Sequence, residues 1–65
     1  MKGNPKFKIG DKVKFEFNGT KVGEVYIVDP YGTFEQNLYA SYDILVKEEN
    51  MLYKHIVEPF VSESV

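Results

Sequence analysis

The chain of 65 residues contains no cysteine, no tryptophan and no arginine. Without cysteine, neither a disulfide nor a cysteine-rich zinc site can support the fold. All eight basic residues are lysine, whereas arginine is the usual side chain for bidentate contacts with phosphate and guanine. No apolar run approaches the roughly 20 residues of a membrane span, and no apolar signal-peptide core follows the first residues. We therefore expect a cytoplasmic protein without membrane contact.

The length leaves room for a single domain, 1–65, with an ordered core of about 7–60 and short flexible termini. For so short a chain, the conformational entropy lost on folding is about as large as the gain from apolar burial. Few apolar residues can therefore be spared from the core. The hydrophobic content is 43%, and 15% of the residues are aromatic, namely five Phe and five Tyr.

Apolar and polar residues alternate along three segments, which predicts strands with one buried face. These segments are 12–17, 22–28 and 39–47. Within the second segment, Tyr26 and Val28 are apolar although they lie out of phase with the alternation. A bulge or a strong bend is therefore expected there.

The C-terminal third predicts two further short strands. The fourth strand starts at 51–53, a helical turn follows at 54–56, and the fifth strand occupies 57–60. Pro59 cannot donate a ladder hydrogen bond, which marks the last strand as an edge. A tail at 61–65 is expected to be frayed.

Five short strands with a helical turn before the last predict an all-β fold, a small and strongly bent antiparallel barrel, because a flat sheet of this size would have too little core. The side chains expected to fill the core are apolar residues of the buried strand faces: Ile9, Val13, Phe15, Val25, Ile27, Tyr42, Ile44, Val46, Ile56 and Phe60. Phe17 is expected to pack with them.

This order of elements resembles the Src-homology-3-like (SH3-like) barrel. The likeness lies in a "GD-x-V … G-x-V" pattern similar to the opening of SH3-like and KOW-type domains. In such domains Gly-Asp makes the turn into the first strand, and the later glycine lets the second strand bend. The matching pieces are Phe7-Lys8-Ile9-Gly10-Asp11-Lys12-Val13, then Gly19, then Gly23-Glu24-Val25.

A second likeness covers the C-terminal two-thirds, which is similar to the YorP-type proteins, small SH3-like barrels of Gram-positive bacteria and their phages. The resemblance implies the fold and a bacterial or phage origin, and it implies no activity. The matching pieces are Gly23-Glu24-Val25, Ser41-Tyr42-Asp43, Tyr53 and His55-Ile56-Val57-Glu58-Pro59.

Catalysis has little support in the sequence. His55 is the only histidine, and no Ser–His–acid spacing accompanies it. Asp43 and the pair Glu48-Glu49 lack the ligand spacing of a calcium loop. We therefore expect no enzyme, no cofactor and no metal.

Five aromatic residues are harder to bury in so small a domain. Exposed aromatics of this kind mark binding faces, because they supply rigid contact area and stacking. An equally weighted alternative is that the loop 31–39 folds back and Phe34 or Leu38 closes one end of the barrel. The candidate binding face consists of Tyr26, Tyr31, Phe34, Tyr39 and Tyr53.

Two hypotheses for the function follow. The first is a protein-interaction module that uses this aromatic face, as a monomer or a weak homodimer. The second is a KOW-like nucleic-acid-binding barrel, in which N-terminal lysines contact phosphate and a tyrosine stacks on a base. The absence of arginine and the net charge of −2 weigh against the second. Its lysines would be Lys6, Lys8, Lys12, Lys14 and Lys21.

Overall fold

The structure, a computed structural model, describes residues 5–30 and 39–64. It contains five strands that pair antiparallel in a single sheet, in the order β4-β3-β2-β1-β5. Of the loop 31–39, residues 31–38 lie outside the described residues. The strands are β1 (Lys12–Glu16), β2 (Thr20–Asp29), β3 (Ser41–Val46), β4 (Met51–Val57) and β5 (Val61–Glu63).

The strand order and the position of the 3-10 turn before the last strand make this a small SH3-like barrel. β1 pairs with β2 on one side and with β5 on the other. β2 is ten residues long and pairs with β1 over its first half and with β3 over its second half. The 3-10 turn Glu58–Phe60 joins β4 to β5. The all-β class, the five strands and the turn before the last strand are confirmed.

A bulge in β2 changes which of its residues face the core. Val25 lies opposite Ile44 and Ile27 lies opposite Asp43, so Tyr26 is an extra residue on β2. The sequence predicted this irregularity but kept Ile27 on the buried face. Because a one-residue insertion reverses the alternation, Ile27 points outward and is 48% exposed, whereas Val25 is fully buried.

The C-terminal elements lie about four residues later than the sequence predicted. β4 continues through 54–56, where a second bulge and a left-handed His55 (φ 61°) replace the expected helical turn. Pro59 is the second residue of the 3-10 turn, in its first positions, where a missing N–H costs nothing. The last strand is therefore 61–63 rather than 57–60, and Val61, placed in a frayed tail by the sequence, is buried.

The core contains most of the expected side chains. Buried as expected are Val13, Phe15, Val25, Tyr42, Ile44, Val46 and Ile56. The expectation was wrong for Ile9, Ile27 and Phe60, and Phe17 is also 44% exposed. Their places are taken by Phe7, Ala40 and Val61.

Tyr42 connects three parts of the fold from within the core. Its ring is fully buried and packs edge-on against Phe7, with ring centroids 5.7 Å apart. Its hydroxyl donates to Glu58 Oε2 at 2.5 Å and accepts from the Phe7 N–H at 3.3 Å. Glu58 also accepts from the Lys6 N–H at 2.8 Å. The N-terminal segment is thus tied through Tyr42 and Glu58 to the 3-10 turn.

The β3–β4 turn depends on a left-handed residue. Asn50 has φ 54° and closes a turn in which its N–H donates to Lys47 O at 3.1 Å. Asparagine tolerates this conformation, whereas a β-branched residue does not. We expect Asn50→Val to lower the free energy of unfolding by about 1–2 kcal/mol and Asn50→Gly to leave it within about 0.5 kcal/mol. Urea titrations of both variants check this, and equal stabilities for Val and Gly would contradict it.

Candidate outer binding face

The sheet has an inner face that forms the core and an outer face that is open. Val13 and Phe15 of β1 point inward and are buried, so Lys12 and Lys14 between and beside them point outward. Lys14 lies opposite Val22. The outer face therefore starts with two lysines on β1 and continues onto Val22 of β2.

The second row of the outer face crosses four strands. Lys12 lies opposite Glu24, Glu24 opposite Leu45, and Leu45 opposite Leu52. On the outer face, Leu45 is thus a diagonal neighbour of Val22, within the distance at which cross-strand side chains interact.

Apolar side chains on this face form what we call the outer patch: Val22, Tyr26, Ile27, Leu45 and Leu52. Val22 is 52% exposed, Tyr26 55% and Ile27 48%, while both leucines are half-buried. Isolated exposed apolar residues are ordinary, but adjacent ones form a patch of the kind found at interaction sites. No other described strand or turn lies over them.

Charges of both signs border the outer patch. A shallow groove of about 200 Å³ runs along it between Lys12, Glu24, Lys47 and Glu48. Lys47 Nζ lies 3.7 Å from Glu24 Oε1 and its side chain is 75% exposed. Asp43 lies opposite Ile27, and one of its oxygens accepts from the His55 N–H at 3.0 Å. The border is thus mixed in sign.

The candidate aromatic residues do not lie on one surface. Tyr31 and Phe34 lie outside the described residues. Tyr26 belongs to the outer patch, and Tyr39, 43% exposed, lies just before β3. Tyr53 lies opposite the fully buried Ile44 and so belongs to the inner side of the sheet. Among residues 5–30 and 39–64, no ring contact joins the three described tyrosines to one another.

Tyr53 instead closes one end of the barrel. Its ring centroid lies 5.3 Å from that of Phe15 and 5.0 Å from that of Phe17. Its hydroxyl donates to Glu49, and this hydrogen bond raises the pKa of Tyr53. Lys21 Nζ lies 2.8 Å from Glu49 Oε2. The hydrogen bond from Lys21 lowers the pKa of Glu49, and the same bond raises the pKa of Lys21.

Three of the five lysines of the nucleic-acid hypothesis, Lys6, Lys8 and Lys12, line one cavity together with Asp11 and Glu63. Lys21 is paired with Glu49 at the end of the barrel, and Lys8 Nζ lies 3.6 Å from Asp11 Oδ1 near the N terminus. Lys12 and Lys14 share the outer face of β1 and lie beside the outer patch. Four of these lysines thus lie on or near the N-terminal part of β1, where acidic side chains lie among them, and Lys21 is held apart by Glu49.

The sequence missed most of the outer patch. Of its five members, only Tyr26 was a candidate, because the predicted binding face consisted of aromatic residues and the other four members are aliphatic. The signal was the run Val25-Tyr26-Ile27-Val28, because four consecutive apolar residues in a strand place some of them outside.

The described residues contain no group of three or more His, Asp or Glu side chains placed to hold a metal ion. No helix in residues 5–30 and 39–64 is long and apolar enough to cross a membrane. Comparison with protein-family models, with curated proteins and with solved structures finds no match to the chain.

Proposed function

We propose that the chain is a non-catalytic protein-interaction module that binds a partner protein through the outer patch. The observation that supports this most directly is the half-exposure of Val22, Tyr26 and Ile27 on the outer side of one strand. Covering three such side chains removes apolar area from water, which is the main favourable contribution to protein association.

The patch is held rigidly before any partner binds. β2 is hydrogen-bonded to β1 through its first half and to β3 through its second half, so the backbone at Val22 and at Ile27 is held in place. Little conformational entropy remains to be lost at these side chains, and pre-organisation of this kind favours affinity. The patch has an apolar centre and a charged rim, the usual anatomy of a protein interface.

The charges around the outer patch indicate what kind of partner surface fits it. Because Lys12 and Lys47 alternate with Glu24 and Asp43, a strongly acidic or strongly basic surface would meet repulsion at half of these positions. The partner that fits is a folded protein surface with an apolar centre and charges of both signs around it.

Capture by the immobilised protein tests this function. We expect the double variant Val22→Lys/Ile27→Lys to lose at least about tenfold of the partner recovered from a lysate of the source cells, because lysine desolvation opposes binding in the centre of an interface. Met51→Lys is the matched control, since Met51 is 50% exposed and lies outside the outer patch.

The comparison between the variants decides the outcome. The Met51 variant is expected to recover the same proteins as the unmodified chain. Circular dichroism and urea titration establish that both variants are folded. Recovery that is unchanged in the folded outer-patch variant overturns the proposed function.

A further inference from the structure

We propose that the partner of the outer patch is a second copy of this chain, in a two-fold symmetric dimer that packs outer face against outer face. This inference rests on the proposed function, because it uses the same surface. A two-fold interface pairs one surface with itself, so it requires a patch that is complementary to its own rotated image.

The row Lys12–Glu24–Leu45–Leu52 offers the position of the axis. Val22 lies on one side of this row along β2, and Ile27 lies on the other side. A two-fold axis along the row therefore brings Val22 of each copy against Ile27 of the other. Leu45, on the axis, meets Leu45 of the second copy.

The charges follow the same symmetry. Lys47 follows β3 on the Val22 side of the row, and Asp43 lies on β3 on the Ile27 side, opposite Ile27 itself. The axis therefore places Lys47 of each copy against Asp43 of the other, giving two intermolecular ion pairs. On the axis, Glu24 approaches Glu24 and Lys12 approaches Lys12 of the second copy. Each Glu24 keeps two lysines of its own chain beside it, Lys12 across the strand and Lys47 at 3.7 Å.

The available surface suits such a dimer. Stable interfaces bury about 800 Å² on each partner, which is roughly a sixth of the 4582 Å² that this chain exposes. The contact uses the outer faces of β2 and β3, where Val22, Ile27 and Leu45 lie. Two packed sheets with aligned strands are also a common architecture within single domains.

Sedimentation equilibrium between about 10 µM and about 1 mM tests the dimer. We expect the unmodified chain to approach twice its 7.5 kDa mass as its concentration rises. Lys47→Glu and Asp43→Lys, each alone, place like charges at both intermolecular pairs, and each is expected to weaken the dimer at least about tenfold. Met51→Lys is expected to leave the dimer unchanged.

Mixing the two charge variants distinguishes this geometry from any other dimer. In a mixed dimer, one intermolecular pair joins the two substituted positions, so it keeps opposite charges with their signs exchanged. The other pair joins the unmodified Asp43 of one chain to the unmodified Lys47 of its partner. We therefore expect an equimolar mixture of Lys47→Glu and Asp43→Lys to dimerise with an affinity close to that of the unmodified chain.

A second measurement does not depend on Asp43, whose replacement removes the acceptor of the His55 N–H. Because the chain has no cysteine, Val22→Cys and Ile27→Cys introduce single thiols. Under mild oxidation, a mixture of these two variants is expected to form mixed disulfide dimers in excess over either homodimer. Mixtures in which Met51→Cys replaces one variant are expected to show no such excess.

The possible outcomes separate the two proposals. An unmodified chain that stays at 7.5 kDa up to about 1 mM overturns the dimer, and so does a dimer that neither charge variant weakens. If the chain is monomeric and the lysine variants still abolish capture, the proposed function stands with a different partner protein. If capture is also unaffected, both proposals fail.

Discussion

Gly23→Ala is expected to lower the free energy of unfolding by about 3 kcal/mol, which is a large part of the total for a domain of this size. A Cβ at this position would lie 2.6 Å from Leu45 O and 2.7 Å from Ile44 Cγ2. Both distances are far shorter than van der Waals contact. One of the two neighbours is backbone, so β2 and β3 would have to move apart.

The loss of stability expected for Gly23→Ala is opposite in sign to the usual effect of a Gly→Ala substitution at an unstrained site. Where the backbone conformation suits alanine and space is available, Gly→Ala stabilises a protein by about 0.4–1 kcal/mol, because it restricts the unfolded chain. A loss at Gly23 therefore measures the close approach of the two strands. Gly23→Val, with a larger side chain, is expected to cost more than Gly23→Ala.

Gly10→Ala is the matched control for steric contact. A Cβ at Gly10 meets nothing within 4 Å, although the residue has φ 97°. Its replacement is expected to cost about 1–2 kcal/mol from backbone strain alone. Urea titration followed by circular dichroism measures all three variants. A Gly23→Ala variant as stable as the unmodified chain would show that β2 and β3 do not approach this closely.

Gly23 also shows a limit of prediction from the sequence. The sequence predicted an irregular β2 and assigned its flexibility to Gly23, but the bulge lies at 25–27 and Gly23 serves the packing of β2 on β3. Alternation reports directly which side chain is buried as long as each strand is regular. It therefore identified Val13 and Phe15 on β1 and failed after the bulge, at Ile27.

The sequence placed the C-terminal strand at the wrong residues for a related reason. Phe60 is large and apolar, which favoured a place in the core, and Val61 looked like part of a tail. Pro59 is the second residue of the 3-10 turn Glu58–Phe60. Phe60, at the end of this turn, lies outside the core at 57% exposure, and Val61 reaches the core instead. The position of that turn depends on the left-handed His55 in β4, which no local pattern indicates.

Only part of the candidate site could be predicted from the sequence, because strand pairing decides on which face of the sheet a residue lies. Tyr26 and Tyr53 are both tyrosines on strands, and nothing local to either shows that they lie on opposite faces of the sheet. Their sides follow from pairing, which puts Tyr53 opposite Ile44, and from the bulge beside Tyr26. The aliphatic members of the outer patch became visible only when β2, β3 and β4 were aligned.

Tyr42→Phe is expected to lower the free energy of unfolding by about 2 kcal/mol at neutral pH. The substitution keeps the ring in the core and removes the hydroxyl. The N–H of Phe7 then loses its acceptor in a buried position, and Glu58 loses the donor that lies 2.5 Å away. Tyr39→Phe is the control, because Tyr39 is 43% exposed, and its effect is expected to stay within about 0.5 kcal/mol.

The same hydroxyl makes stability depend on alkaline pH. Burial, together with the hydrogen bond to Glu58, raises the pKa of Tyr42 from 10.0 to about 12. Between these values the unfolded chain releases the proton and the folded chain keeps it. The folded state then binds more protons, so the free energy of unfolding falls as pH rises. The contribution is complete below pH 10 and is lost by about pH 12, and two pKa units correspond to about 2–3 kcal/mol.

Urea titrations from pH 8 to pH 12 with the unmodified chain and with Tyr42→Phe isolate this contribution. The other four tyrosines and the lysines are present in both proteins, so their titration cancels in the difference. We expect the stability gap between the two proteins to narrow above pH 10, since the tyrosine gains a charge that the fold disfavours and the phenylalanine does not. A constant gap would mean that the Tyr42 hydroxyl is neither buried nor bonded to Glu58, and would remove the connection between the N-terminal segment and the 3-10 turn.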